Sequence, residues 1–186
     1  MSALIRRERA QMLVIDMQER LLPAMTGGDE ALAACERLVQ AAERLRVPVT
    51  VSQQYPKGIG ATVEALARHL PADAATLDKM TFSCMGDTPL RARIEALAGE
   101  GRDQMIVCGV EAHVCVLQTA IDIAEAGLQC FVVADAIASR APSSKEIALQ
   151  RMARAGVGVA TAEMVIVECL GVAGTADFKA LMPLVK

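Results

Sequence analysis

Short apolar runs rich in β-branched residues alternate along this chain with longer stretches whose apolar positions recur every three or four residues. The first run, QMLVID (11–16), ends in a carboxylate. From Leu32 the spacing becomes helical, with Leu32, Cys35, Leu38, Val39, Ala42 and Leu45 on one face and Glu36, Arg37, Glu43 and Arg44 between them. Pro48 closes that helix, and VPVTVS (47–52) predicts a second strand. A helix over 62–69 and a short extended piece over 75–79 follow. Thr88-Pro89 marks a helix start, because proline lacks an N–H that the first helical turn would leave unpaired, and Gly99 and Gly101 end it. QMIVCG (104–109) predicts a buried strand, 114–126 a helix stopped by Gly127, and LQCFVVAD (128–135) a further strand. Ser143 and Glu146 have the spacing of a capping box that opens a helix running to about Ala155. VGVAT (157–161) predicts the last strand, before a helix over 162–170 and a mixed tail ending FKALMPLVK.

Strands that are apolar on both faces and joined by crossover helices must be covered on both sides. The predicted fold is therefore α/β, a three-layer α/β/α sandwich around a mainly parallel sheet of about six strands. No repeat, low-complexity stretch or linker divides the chain, so one domain is expected over residues 1–186.

Composition removes several classes of function. The chain is 53% hydrophobic with a net charge of −3, its charges are dispersed, and its only aromatics are Tyr55, Phe82, Phe131 and Phe178. Nucleic-acid binding by phosphate neutralisation and base stacking has little to work with, so no nucleic-acid partner is expected. No apolar run approaches the ~18–20 residues of a membrane span, so no membrane association is expected either. MSALIRRERAQ leads into a strand-length apolar run and not into a signal-peptide core, which points to a cytoplasmic protein. The six cysteines (Cys35, Cys84, Cys108, Cys115, Cys130, Cys169) are then expected as thiols. No pair is spaced CxxC and no histidine completes a zinc pattern, so neither metal nor cofactor is expected.

In open parallel sheets, ligands sit beyond the carboxyl ends of the strands, near the point where strand order reverses. Asp16 follows the first strand, Lys79 ends the third, and Cys115 lies just past the fourth, where its helix begins. Three reactive groups from distant parts of the chain thus belong at one edge. A free thiol titrates at about 8.5, and a helix N-terminus or a nearby cation lowers that value toward the nucleophilic thiolate. Lys79 would be the cation, Asp16 the acceptor of the thiol proton, and backbone N–H groups of the 109–115 turn would hold an oxyanion. Tyr55 and Phe82, in loops at strand ends, are candidates to line a substrate pocket, and His113 to line the cleft or an interface. Cys84 falls in the loop after Lys79, while Asp135 and Arg140 are placed to brace the loop after the fifth strand.

DMQERLLPAM after the first strand, DKMTFS around Lys79 and GVEAHVCV around Cys115 resemble the isochorismatase-like cysteine hydrolases. The likeness continues through QQYPKGIG (53–60), VVADAIASR (132–140) and FKALMPLVK, and is greatest for isochorismatase domain-containing hydrolases of unassigned substrate. This resemblance implies an Asp–Lys–Cys triad at Asp16, Lys79 and Cys115. It also implies a cis peptide before Glu111, with the backbone N–H groups of Glu111 and Cys115 as oxyanion hole. Nicotinamidases share the triad but carry an Asp-x-His metal site after the second strand, where this chain reads VSQQYPKGIG. True isochorismatases lack a cysteine at the position of Cys115. The expectation is a metal-independent hydrolase that cleaves a small amide-like substrate through a thioester. Hydrolysis of N-carbamoyl compounds or esters, and a catalytically idle binding or assembly protein, are the alternatives. The family resemblance and the apolar excess, including FKALMPLV, lead us to expect a homo-oligomer, at least a dimer.

Overall fold

The computed structural model describes residues 4–185. Its centre is a six-stranded sheet of β1 (Ala10–Ile15), β2 (Val49–Gln54), β3 (Ala75–Lys79), β4 (Gln104–Val110), β5 (Gln129–Ala138) and β6 (Gly158–Ala160). The strands run in the order β3-β2-β1-β4-β5-β6, and every neighbouring pair is parallel. β1 is buried along its whole length, and its side chains alternate between the two faces. Met12 and Val14 enter one core with Leu38, Val39, Ile106, Cys108 and Ile166, whereas Leu13 and Ile15 enter the other with Leu90, Ile94, Val107, Ile123 and Val132. Helices α1 (Gly28–Leu45), α7 (Ala162–Leu170) and α8 (Ala176–Val185) cover the first face. α4 (Thr88–Gly99), α5 (Leu117–Glu125) and α6 (Pro142–Arg154) cover the second. No helix among the described residues is long and apolar enough to cross a membrane.

The pattern of apolar positions locates all six strands, although β5 runs three residues past the expected end at Asp135, and the other differences lie in the helices. The helix expected over 62–69 reduces to one turn, α3 (Glu64–Ala67), and a further turn, α2 (Pro56–Ile59), follows Tyr55. The capping box at Ser143 does not form: α6 starts at Pro142, behind an extended Ala141 that offers no side-chain cap. A residue before proline is pushed to extended geometry, and proline is preorganised for the first helical position, so Pro142 sets the start two residues ahead of where a Ser143 cap would put it. α4 is capped by Asp87, whose carboxylate accepts from the Leu90 N–H at 3.2 Å, and α7 by Thr161, whose hydroxyl accepts from the Met164 N–H at 3.3 Å. The tail folds as α8, and Leu181 is buried in the core with Leu184 and Val185 against it. Much of the apolar excess that had pointed to a partner subunit is therefore satisfied within the chain.

Strand order reverses between β1 and β4, each connecting away from the other, and this opens the crevice that the topology reserves for a ligand. At its floor Ile15 is in register with Gly109. Gly109 has φ of 111°, and a Cβ there would collide with the Ile15 carbonyl oxygen. Only glycine fits, both in conformation and in space. Gly109→Ala is expected to lower unfolding stability by at least ~2 kcal/mol, because a strained φ and a backbone clash add. Urea denaturation checks this, and an unchanged midpoint would contradict the close approach.

Candidate active site

The three candidate side chains meet. Asp16 follows β1 with φ of 51°, in the left-handed region, with its N–H donating to the Ser52 carbonyl at 3.1 Å and its own carbonyl accepting from Gln18 N–H at 2.8 Å. This turn aims the carboxylate across the crevice; left-handed geometry is tolerated by aspartate more readily than by bulkier residues. One carboxylate oxygen, Oδ1, accepts from Ser52 Oγ at 2.7 Å, and the other, Oδ2, accepts from Lys79 Nζ at 2.7 Å. Lys79 also donates to Gln54 Oε1 at 2.7 Å and to the Thr81 carbonyl at 3.2 Å, and it lies 3.6 Å from Cys115 Sγ. Asp16 is 0% exposed, Lys79 2% and Cys115 5%.

Cys115 does not sit at the start of a regular α-helix, as the sequence had indicated. It lies within a wider π-helical turn, Ala112–Val116, and α5 begins only at Leu117. The Val110–Glu111 peptide before this turn is cis. Glu111 is buried, and its Oε2 accepts from Arg140 Nε at 2.8 Å, which ties the turn to the segment after β5. Arg140 thus braces Glu111, while Asp135 accepts from the Ala162 N–H at 2.8 Å at the start of α7. His113 is half-buried, and its Nδ1 lies 3.0 Å from Ser139 Oγ.

The electrostatics correct a second expectation. Burial pushes the Cys115 thiol up to about 12, the Asp16 charge and a hydrogen bond to Asp16 push the same way, and Lys79 opposes them. The resting group is a thiol beside a carboxylate, not a thiolate. For Lys79, burial pulls downward, but the Asp16 charge and its hydrogen bond outweigh it and hold the ammonium above its usual value. Lys79 is therefore charged throughout the neutral range. Cys84 is fully buried in the loop after β3, and burial raises its thiol to about 11 against the pull of Lys79. All six cysteines are free and buried.

Tyr55, Met80 and Phe82 are large apolar side chains exposed around this edge, at 47%, 70% and 56%. Tyr55 and Met80 wall a cleft of about 280 Å³ with Pro56, Lys57, Asp78 and Lys79. Met80 escaped the sequence reading, as did Ser52 and Gln54. A signal for the latter two was present: polar residues two apart at the end of an otherwise apolar strand point to one face together. The loop carrying Met80 and Phe82 is anchored to α5 by a hydrogen bond from Ser83 Oγ to Asp122 Oδ2 at 2.5 Å and from the Cys84 N–H to Thr119 Oγ1 at 3.0 Å. Among the described residues no three His, Cys, Asp or Glu side chains cluster as metal ligands would.

The isochorismatase domain family matches residues 10–164, a span that begins at β1 and includes Asp16, Lys79 and Cys115. The chain belongs to that family. It is 36% identical over 171 residues to isochorismatase domain-containing protein 1 of Danio rerio, and covers 59% of that protein's length and 92% of its own. It is 32% identical over 179 residues to isochorismatase domain-containing protein 2 of Macaca fascicularis, covering 82% of it and 94% of itself. Among solved structures, one described as a MAR1 ribonuclease from Caenorhabditis elegans superposes with a TM-score of 0.91 at 34% identity, over 98% of this chain and 92% of that one. The YcaC gene product of Escherichia coli, described as an octameric hydrolase of unknown specificity, shares the fold with a TM-score of 0.90 at 23% identity, over 98% of this chain and 91% of that one.

The charges around Cys115 have opposite signs, so their removal has opposite effects. A nearby anion penalises thiolate formation and a nearby cation favours it. Lys79→Met removes the cation and is expected to slow Cys115 alkylation at pH 8 by about tenfold or more, which corresponds to an upward shift of about one pKa unit. Asp16→Asn removes the anion and is expected to speed the same reaction. Rates from iodoacetamide labelling and peptide mapping, with circular dichroism to confirm the fold, check both. Equal rates in the two variants would remove the electrostatic link.

Proposed function

We propose that this chain is a metal-independent cysteine hydrolase that cleaves the C–N bond of a small amide-like substrate, with Asp16, Lys79 and Cys115 as its catalytic residues. The carrying observation is the buried contact of three groups from three separate strand ends, Asp16–Lys79 at 2.7 Å and Lys79–Cys115 at 3.6 Å. Cys115 Sγ attacks the carbonyl carbon as its proton passes to Asp16, and the Lys79 ammonium stabilises negative charge developing on sulfur. The backbone N–H groups of Glu111 and Cys115 hold the oxyanion. Asp16 then returns the proton to the departing nitrogen, the C–N bond breaks, and a thioester remains on Cys115. Water, giving a proton to Asp16, attacks the thioester and releases the acid, and the proton goes back to sulfur. A resting thiol suits this sequence, because the proton leaves the sulfur as the sulfur attacks and no free thiolate has to persist in a buried site.

Tyr55 and Phe82 are proposed to line the substrate cleft, with His113 at its margin. A small molecule fits the near-complete burial of Cys115 better than a polymer does, and the net charge of −3 gives little attraction for a polyanion. This distinguishes the reading from the ribonuclease activity named for the Caenorhabditis elegans relative. We further propose a homo-oligomer, supported by exposed apolar side chains at Tyr55, Met80 and Phe82 and by the assembly named for the YcaC protein.

Purified protein screened with small amides, N-carbamoyl compounds and esters is expected to give an acyl adduct on Cys115 by intact mass, labile to hydroxylamine. Cys115→Ala is expected to lose turnover on the order of 10³-fold or more, and a chelator is expected to leave wild-type turnover unchanged. Turnover retained in Cys115→Ala, or RNA cleavage with no turnover of any small substrate, would overturn the proposal. Light scattering at micromolar concentration is expected to give at least a dimer mass, and a monomer would remove that part.

A further inference from the structure

Lys79 has three ammonium protons and four neighbours: Asp16 Oδ2, Gln54 Oε1, the Thr81 carbonyl and Cys115 Sγ. Its two short contacts, both 2.7 Å, are to one charged and one uncharged oxygen. The uncharged one is held from several sides. Gln54 ends β2 in register with Lys79. Its backbone N–H donates to Gln18 Oε1 at 2.8 Å, and its carbonyl accepts from Gln18 Nε2 at 3.0 Å. Gln18 is itself fully buried and donates again to the Gly60 carbonyl at 2.7 Å. The Gln54 side-chain NH₂ donates to the Met80 carbonyl at 3.0 Å, so only the amide oxygen is left to face Lys79. Two residues earlier on the strand, Ser52 donates to Asp16 Oδ1 at 2.7 Å. One face of β2 thus holds both members of the ion pair.

We propose that Gln54 is a positioning residue of this site, an uncharged acceptor that fixes the Lys79 ammonium while leaving its charge to be shared by Asp16 and Cys115. A carboxylate at this place would hold the lysine equally well but would surround it with two anions, and the thiol would face a net negative cluster. The ionisable groups around the ammonium are Asp16 from the end of β1, Cys84 from the loop after β3 and Cys115 from the π-helical turn. Asp78 and Lys57 lie exposed on the outer cleft. The inference rests on the proposed catalytic role only through the contact between Lys79 and Cys115, and alkylation of that thiol tests it with no substrate.

The experiment compares Gln54→Glu, Gln54→Met and wild type by the rate of Cys115 alkylation with iodoacetamide between pH 5 and 9. The carboxyl group that Gln54→Glu introduces sits against the Lys79 ammonium, which favours its ionised form. It is therefore expected to be a carboxylate across this range and to slow alkylation about tenfold or more relative to wild type, further than Gln54→Met does. Gln54→Met has no titrating group and no acceptor, so its ratio is expected to lie several-fold below wild type and to stay flat with pH. A wild-type rate in a folded Gln54→Glu protein would overturn the inference. So would a wild-type rate in Gln54→Met, which also serves as the test if Gln54→Glu does not fold. Absence of amide hydrolysis would overturn the proposed function while leaving these ratios as the test of Gln54.

Discussion

The buried ion pair between Asp16 and Lys79 is the contact on which the site depends. Both side chains are fully removed from solvent, and their 2.7 Å bond joins the ends of β1 and β3 across β2. Two charges withdrawn from water cost several kcal/mol each, and their mutual attraction offsets this only when their remaining hydrogen-bonding capacity is met. Here it is met by Ser52 on the carboxylate and by Gln54 and the Thr81 carbonyl on the ammonium. The pair is close to neutral as a unit but strongly dipolar. A thiol placed beside it meets an acceptor for its proton and a cation for the charge left behind, in one arrangement. That placement also explains why the resting thiol is held high: burial and Asp16 act together, and Lys79 answers only part of their effect.

Bringing Cys115 to that pair is the task of the strand crossover. β1 and β4 run side by side with Ile15 opposite Gly109, at a separation that no side chain at 109 would permit. Beyond Gly109 the chain passes through a cis peptide and a π-helical turn before α5, and the Arg140–Glu111 ion pair pins this turn from the side of β5. On the other flank, Ser83 and Cys84 hold the loop after β3 against α5. The sulfur is therefore positioned by elements from both halves of the sheet. Such a site sits on strand ends, with loops around it that carry Tyr55, Met80 and Phe82.

That division fits the range of names among the relatives. A fold shared at a TM-score of 0.90 or above extends from one protein described as a ribonuclease to another described as an octameric hydrolase. Chemistry of this kind is specified by the groups at the site, and substrate choice by what surrounds them. In this chain the surroundings include Tyr55, Met80 and Phe82, exposed apolar side chains on anchored loops.

By itself the sequence determined the layers and the strand positions, because the period of apolar residues reports local geometry directly. It also pointed to Asp16, Lys79 and Cys115, because each closes or follows a strand and the edge of a parallel sheet is where ligands bind. Local signals misled where two of them competed. Ser143 and Glu146 had the spacing of a cap, but Pro142 one residue earlier set the start of α6. Only the tertiary structure decided the quantities that depend on distance between remote residues. The thiol's ionisation followed from burial and from a carboxylate far away in the chain, not from a helix start next to it. The roles of Ser52 and Gln54 emerged only once β2 lay between β1 and β3. Electrostatic energy and hydrogen bonding fall off over a few ångströms of space, and separation along the chain carries no record of that distance until the strands have found their order.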